Sequence, residues 1–177
     1  MKRGANAKNV VFGEAVVYVD DKPTGLTRDG VKFSVEYEYR VIEADGDRAK
    51  VKGRIIKEKA IPKAEINHLE LLTRTTDMHP GLSVDTKTAP GHTVISGTGK
   101  IDDENDYHKI EIRGRTKDGR KCTAGIKQAI NLENIEWEFK DKNDVIDKVT
   151  FEGVEEEEQE AIDEGWYIDY ETGAIDK

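Results

Sequence analysis

Residues 31 to 41 constrain this chain most. Val31, Phe33, Val35, Tyr37, Tyr39 and Val41 alternate with Lys32, Ser34, Glu36, Glu38 and Arg40. A period of two over eleven residues specifies a strand with one dry face and one wet face. At ~3.3 Å per residue it spans ~40 Å, longer than most strands. Ala44-Asp45-Gly46-Asp47 reads as a turn, and Lys50–Lys59 as the return strand, with Gly53 a candidate bulge. The pair is a long antiparallel hairpin whose apolar face needs a second layer.

The remaining segments supply that layer. Val10–Asp20 is apolar and β-branched, a strand that ends in the turn Asp21–Gly25. Pro62 reads as an interruption. Lys63 to about Leu71 then reads as a strand, followed by a short helix to about Met78 that His79-Pro80-Gly81 terminates. Asn67 and Glu70 offer an alternative as a capping box opening the helix. Residues 81–106 are the least regular part, with a brief strand at Val94–Ser96. Four more strands follow at Tyr107–Thr116, Lys121–Ile130, Ile135–Phe139 and Val149–Val154, the first two joined by an Asp118-Gly119 hairpin turn.

Hydrophobic residues make up 36% of the 177 and charged residues 37%, so the core must be thin, as between two layers. The predicted fold is mainly β (α+β): a two-sheet β-sandwich or partial barrel with one short flanking α-helix and the long hairpin. Residues 1–9 read as a flexible N-terminus, 10–154 as the domain, and 155–177 as an acidic C-terminal extension.

The charge sits almost wholly in that extension. Residues 155–177 carry ten carboxylates against Lys177, a balance of −9, which is the net charge of the whole chain. Residues 1–154 hold 27 charges of each sign. The body has no basic excess of the kind that marks a nucleic-acid reader, and no polybasic patch for anionic lipid. No apolar run reaches the ~20 residues that cross a bilayer. The N-terminal MKRGANAKNVVF lacks the apolar stretch of a secretory leader, so synthesis in a cytoplasm is expected.

No set of residues spells out catalysis, a cofactor or a metal site. The four histidines, at 68, 79, 92 and 108, do not pair at helical spacing and read as surface residues. Gly97-Thr98-Gly99-Lys100 brushes against a phosphate loop, but Val94 and Ile101 stand where Gly and Ser or Thr are required. Asp102, Glu104 and Asp106 imitate a calcium loop that Tyr107 and Arg113 then break. The lone Cys122 lies mid-strand and reads as a small core residue. A competing possibility is a small metal-binding module or enzyme built on His79, His92 and the loop Asp102–Asp106.

Two features ask for a use. The hairpin is longer than a sandwich of this size requires, and an unpaired edge of that length invites pairing. Trp166, Tyr167, Ile168 and Tyr170 form an aromatic patch in an otherwise solvated tail. Either each is used internally or both serve assembly.

At the hairpin the sequence resembles a known family. Val41-Ile42-Glu43-Ala44-Asp45-Gly46-Asp47-Arg48, followed by Val51-Lys52-Gly53-Arg54-Ile55-Ile56, is similar to the long hairpin of bacteriophage tail tube proteins, the major tail proteins. Ala64-Glu65-Ile66-Asn67-His68-Leu69-Glu70 resembles the strand that leads into that family's single helix. The likeness covers roughly residues 10–154. The loop from Gly81 to Asp106 and the tail from Glu155 depart from it.

The resemblance implies a virion structural protein, not an enzyme, that needs no cofactor. Hexameric rings would stack into a tail tube through which DNA passes into the host without specific binding. Tape-measure and tail terminator proteins would be its partners, with no membrane. A tailocin, contractile injection or type VI-like tube is the alternative, since these share the ring. Four strands from each subunit would close a barrel of 24, which at ~4.8 Å spacing and ~40° tilt is about 48 Å across the backbone. Val31, Phe33, Val35, Tyr37 and Tyr39 would then face the sandwich core, and Lys32, Ser34, Glu36, Glu38 and Arg40 the lumen. A bore that is not strongly basic is expected, because clustered Lys and Arg would hold phosphates. The turn Asp45, Gly46, Asp47 and Arg48 would meet the next ring, and Trp166, Tyr167, Ile168 and Tyr170 a neighbour or outer partner.

Overall fold

A computed structural model describes residues 11–88, 90–155 and 164–172. The expected flexible stretch 1–9 and most of the acidic run lie outside the described residues. The elements are β1 (Val11–Val19), β2 (Lys22–Pro23), β3 (Thr27–Val41), β4 (Ile55–His68), α1 (Leu71–Met78), β5 (Leu82–Asp85), β6 (Val94–Gly97), β7 (His108–Thr116), β8 (Lys121–Asn131), β9 (Asp147–Gly153) and β10 (Trp166–Tyr170). The fold is mainly β with one short helix, as expected.

One antiparallel sheet runs in the order β2-β1-β7-β8-β9-β4-β3, with β10 also on β8, and a separate two-stranded sheet joins β5 to β6. The large sheet folds onto itself as a sandwich. Val17, Val19, Ile110 and Ile126 from β1, β7 and β8 meet Ala64, Ile66, Val149 and Phe151 from β4 and β9 in one buried cluster, with Met78 of α1 at its end. Strand β8 passes between the layers: its first half pairs with β7 and β10, its last three residues with β9. The barrel does not close, since no ladder joins β1 to β3 among the described residues.

Four expectations are corrected, and one alternative falls away. The return strand starts at Ile55, not Lys50. Gly53 takes a positive φ of 85° that turns the chain in the loop, and the bulge falls instead at Glu58, between the pairs Glu38↔Lys59 and Tyr39↔Lys57. Pro62 does not interrupt β4, which runs through it opposite Val35; the second ladder, to β9, begins only at Lys63. A proline is tolerated where a strand has one neighbour. Ile135–Phe139 is not a strand. Asn131 turns the chain out of the sheet by accepting the Glu133 N–H and donating to Met78 O. Finally, Glu70 does not close a capping box: α1 has no side-chain cap, and the Glu70 carboxylate takes the Leu26 N–H at 3.1 Å.

Candidate assembly surfaces

The residues expected to line a bore share one polar face. Alternation along β3 places Lys32, Ser34, Glu36, Glu38 and Arg40 together, opposite Glu65, Lys63, Ile61, Lys59 and Ile56 of β4. Lys148, Thr150 and Glu152 of β9 extend this face through the pairs with Asn67, Glu65 and Lys63. Its charges are matched rung by rung. Lys32 pairs with Glu65, Lys63 with Glu36 at 3.0 Å and Glu152 at 3.5 Å, Lys59 with Glu38 at 3.2 Å, and Arg40 with the bulge residue Glu58 at 2.5 Å. The hydrogen bond to Glu36 holds the Lys63 ammonium above its ordinary pKa. Lys148 completes a set of five cations to five carboxylates, so the face is close to neutral. Exposed pairs of this kind contribute little stability each, about 1 kcal/mol at most; their main effect is to cancel the field. Towards one end the irregular segment 133–144 borders an open cleft on this face, anchored by Arg28 to Asp144.

The opposite face of the hairpin is divided. Val31 and Phe33 pack on the core, as expected. Tyr37 and Tyr39 are on the same side but reach past the end of the second layer, so they are 37% and 57% exposed instead of facing the core. Their rings lie 6.0 Å apart, with Lys57 Nζ 4.2 Å from the Tyr37 ring centre. Ile55, opposite Val41, is also exposed. Among the described residues only Glu164 reaches this side of the arm, where it pairs with Lys57, and the Tyr37 and Tyr39 rings stay exposed.

At the tip, Asp45, Gly46, Asp47 and Arg48 are all exposed. Gly46 has φ 93°, which the turn requires. Asp47 is already used inside the loop, where its Oδ2 accepts the Ala44 N–H at 2.9 Å and Arg54 Nη1 at 2.8 Å. Asp45 and Arg48 make no such side-chain bond among the described residues.

The aromatic tail folds back, the internal one of the two alternatives. Trp166 and Tyr167 of β10 pack on opposite faces of the sheet: on the core side the Trp166 ring lies tilted 6.4 Å from Phe33, and on the other side the Tyr167 hydroxyl donates to Glu111 across β8. Gly125 makes this possible, because a Cβ there would fall 2.3 Å from the Tyr167 ring. Burial pushes the Glu111 carboxyl up, but bonds from Tyr167, Lys109 (2.9 Å) and Arg113 Nε (2.8 Å) outweigh it and leave the pKa at about 2. Burial and the facing Glu111 raise the Tyr167 hydroxyl well above its ordinary value. Ile168 and Tyr170 stay 54% and 59% exposed. Sequence reasoning missed Glu111 and Gly125, although a glycine in mid-strand is itself a sign of close approach.

The residues of the competing metal reading are engaged elsewhere. His79 is buried, not a surface residue: its Nε2 lies 2.7 Å from Asp147 Oδ2, while Asn131 Nδ2 donates to its Nδ1 at 3.1 Å. His68 is buried too, with Nε2 donating to Thr24 O at 2.7 Å. The structure does not bring His79 and His92 together, since His92 is exposed in the β5–β6 loop. Asp106 Oδ2 accepts the N–H groups of Gly81 and Asp102 at 2.9 and 2.7 Å. Asp102 accepts from Glu104 N–H and Asn105, whose side chain holds its carboxyl below the ordinary value. These acids tie down their own loop. Among the described residues, no three His, Cys, Asp or Glu side chains group as a metal set. Cys122 is half-buried on β8, opposite Gly114 and Tyr170, and not in the core.

A comparison with models of protein families gives no match, and neither does one with curated proteins.

Proposed function

We propose that this chain is the subunit of a hollow tube, a bacteriophage tail tube protein whose hexameric rings stack into a conduit for DNA. The observation that carries this is the two-faced arm of β3 and β4. One face is a charge-balanced polar ladder. The other exposes Tyr37, Tyr39 and Ile55 where the sandwich supplies no second layer. An apolar ribbon of that kind needs a neighbour, and copies of the same chain arranged in a ring provide one at every position. The polar face spans β3, β4 and β9, three of the four strands per subunit that a shared barrel of 24 asks for. A near-neutral lining suits passage, because it offers phosphates no cation cluster to displace their counterions. The same ring would serve a tailocin, a contractile injection device or a type VI-like tube.

Negative-stain electron microscopy of the purified protein over a range of concentrations tests this. Rings or hollow tubes with an open bore are expected. Monomers at every concentration, with Tyr37→Ser/Tyr39→Ser sedimenting no differently from the native chain, would refute it.

A further inference from the structure

Strands β9 and β10 occupy one uninterrupted slot along β8. Gly153 lies opposite Ala129, and Val154 N–H donates to Gln128 O. On the next rung Lys127 N–H donates to Gly165 O, and Trp166 lies opposite Ile126. While β8 moves back by one residue, the other strand advances from Val154 to Gly165. The ten residues 155–164 are thus inserted into what would otherwise be a single strand, and seven of them are Asp or Glu.

The two halves of that strand are held differently. β9 is locked on its far side by six pairs with β4, from Lys63↔Glu152 to His68↔Asp147. Among the described residues, β10 pairs with β8 alone. Its anchors are side chains remote in sequence: Phe33 under Trp166, Glu111 and Gly125 around Tyr167, and Lys57 on Glu164. Any copy of the chain presents the same set. Ten residues reach ~33 Å when extended, where none is needed to continue the strand.

We propose that β10 is an exchangeable strand, which leaves its own β8 and fills the β8 slot of a second copy. This stands apart from the tube: it concerns which copy supplies β10, whatever the assembly.

The chain's one cysteine makes a direct test, because Cys122 is the register partner of Tyr170. The full chain carrying Tyr170→Cys is oxidised, its fractions are separated by size, and each is run on a non-reducing gel. Exchange gives a disulfide from Cys122 of one chain to position 170 of another as the main product of the assembled fraction, lost in the Cys122→Ser control. Deleting residues 155–164 joins the half-strands on consecutive rungs, and should abolish the interchain product. Links confined within single chains in every fraction would overturn exchange, as would persistence of the interchain product after the deletion. A second pair on the other face of the strands, Thr123→Cys with Asp169→Cys in the Cys122→Ser background, repeats the measurement should the first pair be poorly aligned. Absence of any link in both pairs would also overturn it. Tubes containing only intrachain links would leave the tube standing without exchange; interchain links without tubes would do the reverse.

Discussion

Glu111 and Tyr167 set the chemistry of one buried corner. With the folded carboxyl at about 2 against an ordinary 4.5, the folded state binds the Glu111 proton more weakly than the unfolded one. Its contribution is complete above pH ~4.5 and is lost as the pH falls towards 2, on the order of 2–3 kcal/mol. Tyr167 is shifted upward, so its contribution is complete below its unfolded value near 10 and declines above that. Urea unfolding as a function of pH should show both flanks, and Glu111→Gln should flatten the acid one. Gly125→Ala should push the Tyr167 ring off β8 and cost about 1–3 kcal/mol, read in the same experiment. Part of this corner was legible in the sequence. Trp166–Tyr170 is plainly a patch that wants burial, whereas reading Lys121–Ile130 as a plain strand passes over Gly125. That one covers the other was not legible, because cross-strand partners 40 or more residues apart leave no local periodicity.

The elements behave according to how far they overlap the core. The β3–β4 hairpin was readable because alternation is a local signal, yet its exposure was not, because that depends on where the opposite layer stops. Ile135–Phe139 shows the converse: it alternates like a strand but forms no ladder, since the turn at Asn131 carries it off the sheet. The buried histidines were misjudged for a related reason. His68 and His79 are polar residues on core-facing positions, and only the partners Thr24, Asn131 and Asp147 explain how burial is tolerated. Asp147→Ala should leave His79 Nε2–H unpaired in the core and cost about 1–3 kcal/mol. By contrast, Tyr37→Ser/Tyr39→Ser should change monomer stability by no more than roughly 0.5 kcal/mol per site, since both residues are exposed. The same variant should lose assembly, which sedimentation separates cleanly from unfolding.

For the molecule as a whole, a balanced polar face makes a quantitative demand on a tube. Glu36→Lys with Glu38→Lys would move each subunit's lining by four positive charges, repeated six times per ring. Native tubes should release duplex DNA at physiological salt. The variant's tubes should retain it, with a steep loss of retention as salt rises. Retention equal in the two would mean that this face does not line the bore. The bulge at Glu58 has its own consequence here. It is one of two register shifts in the ribbon, the other lying between Thr27 and Val31, and bulges bend a strand and sharpen its twist. Removing Glu58 would place Lys57 directly after Lys59 on the ladder, so every side chain would keep its face and only the arm's direction would change. A tube built from that variant should wind with a different pitch, and its lining should gain one positive charge per subunit because Arg40 loses its partner, which makes Glu58 a gear tooth for the helix.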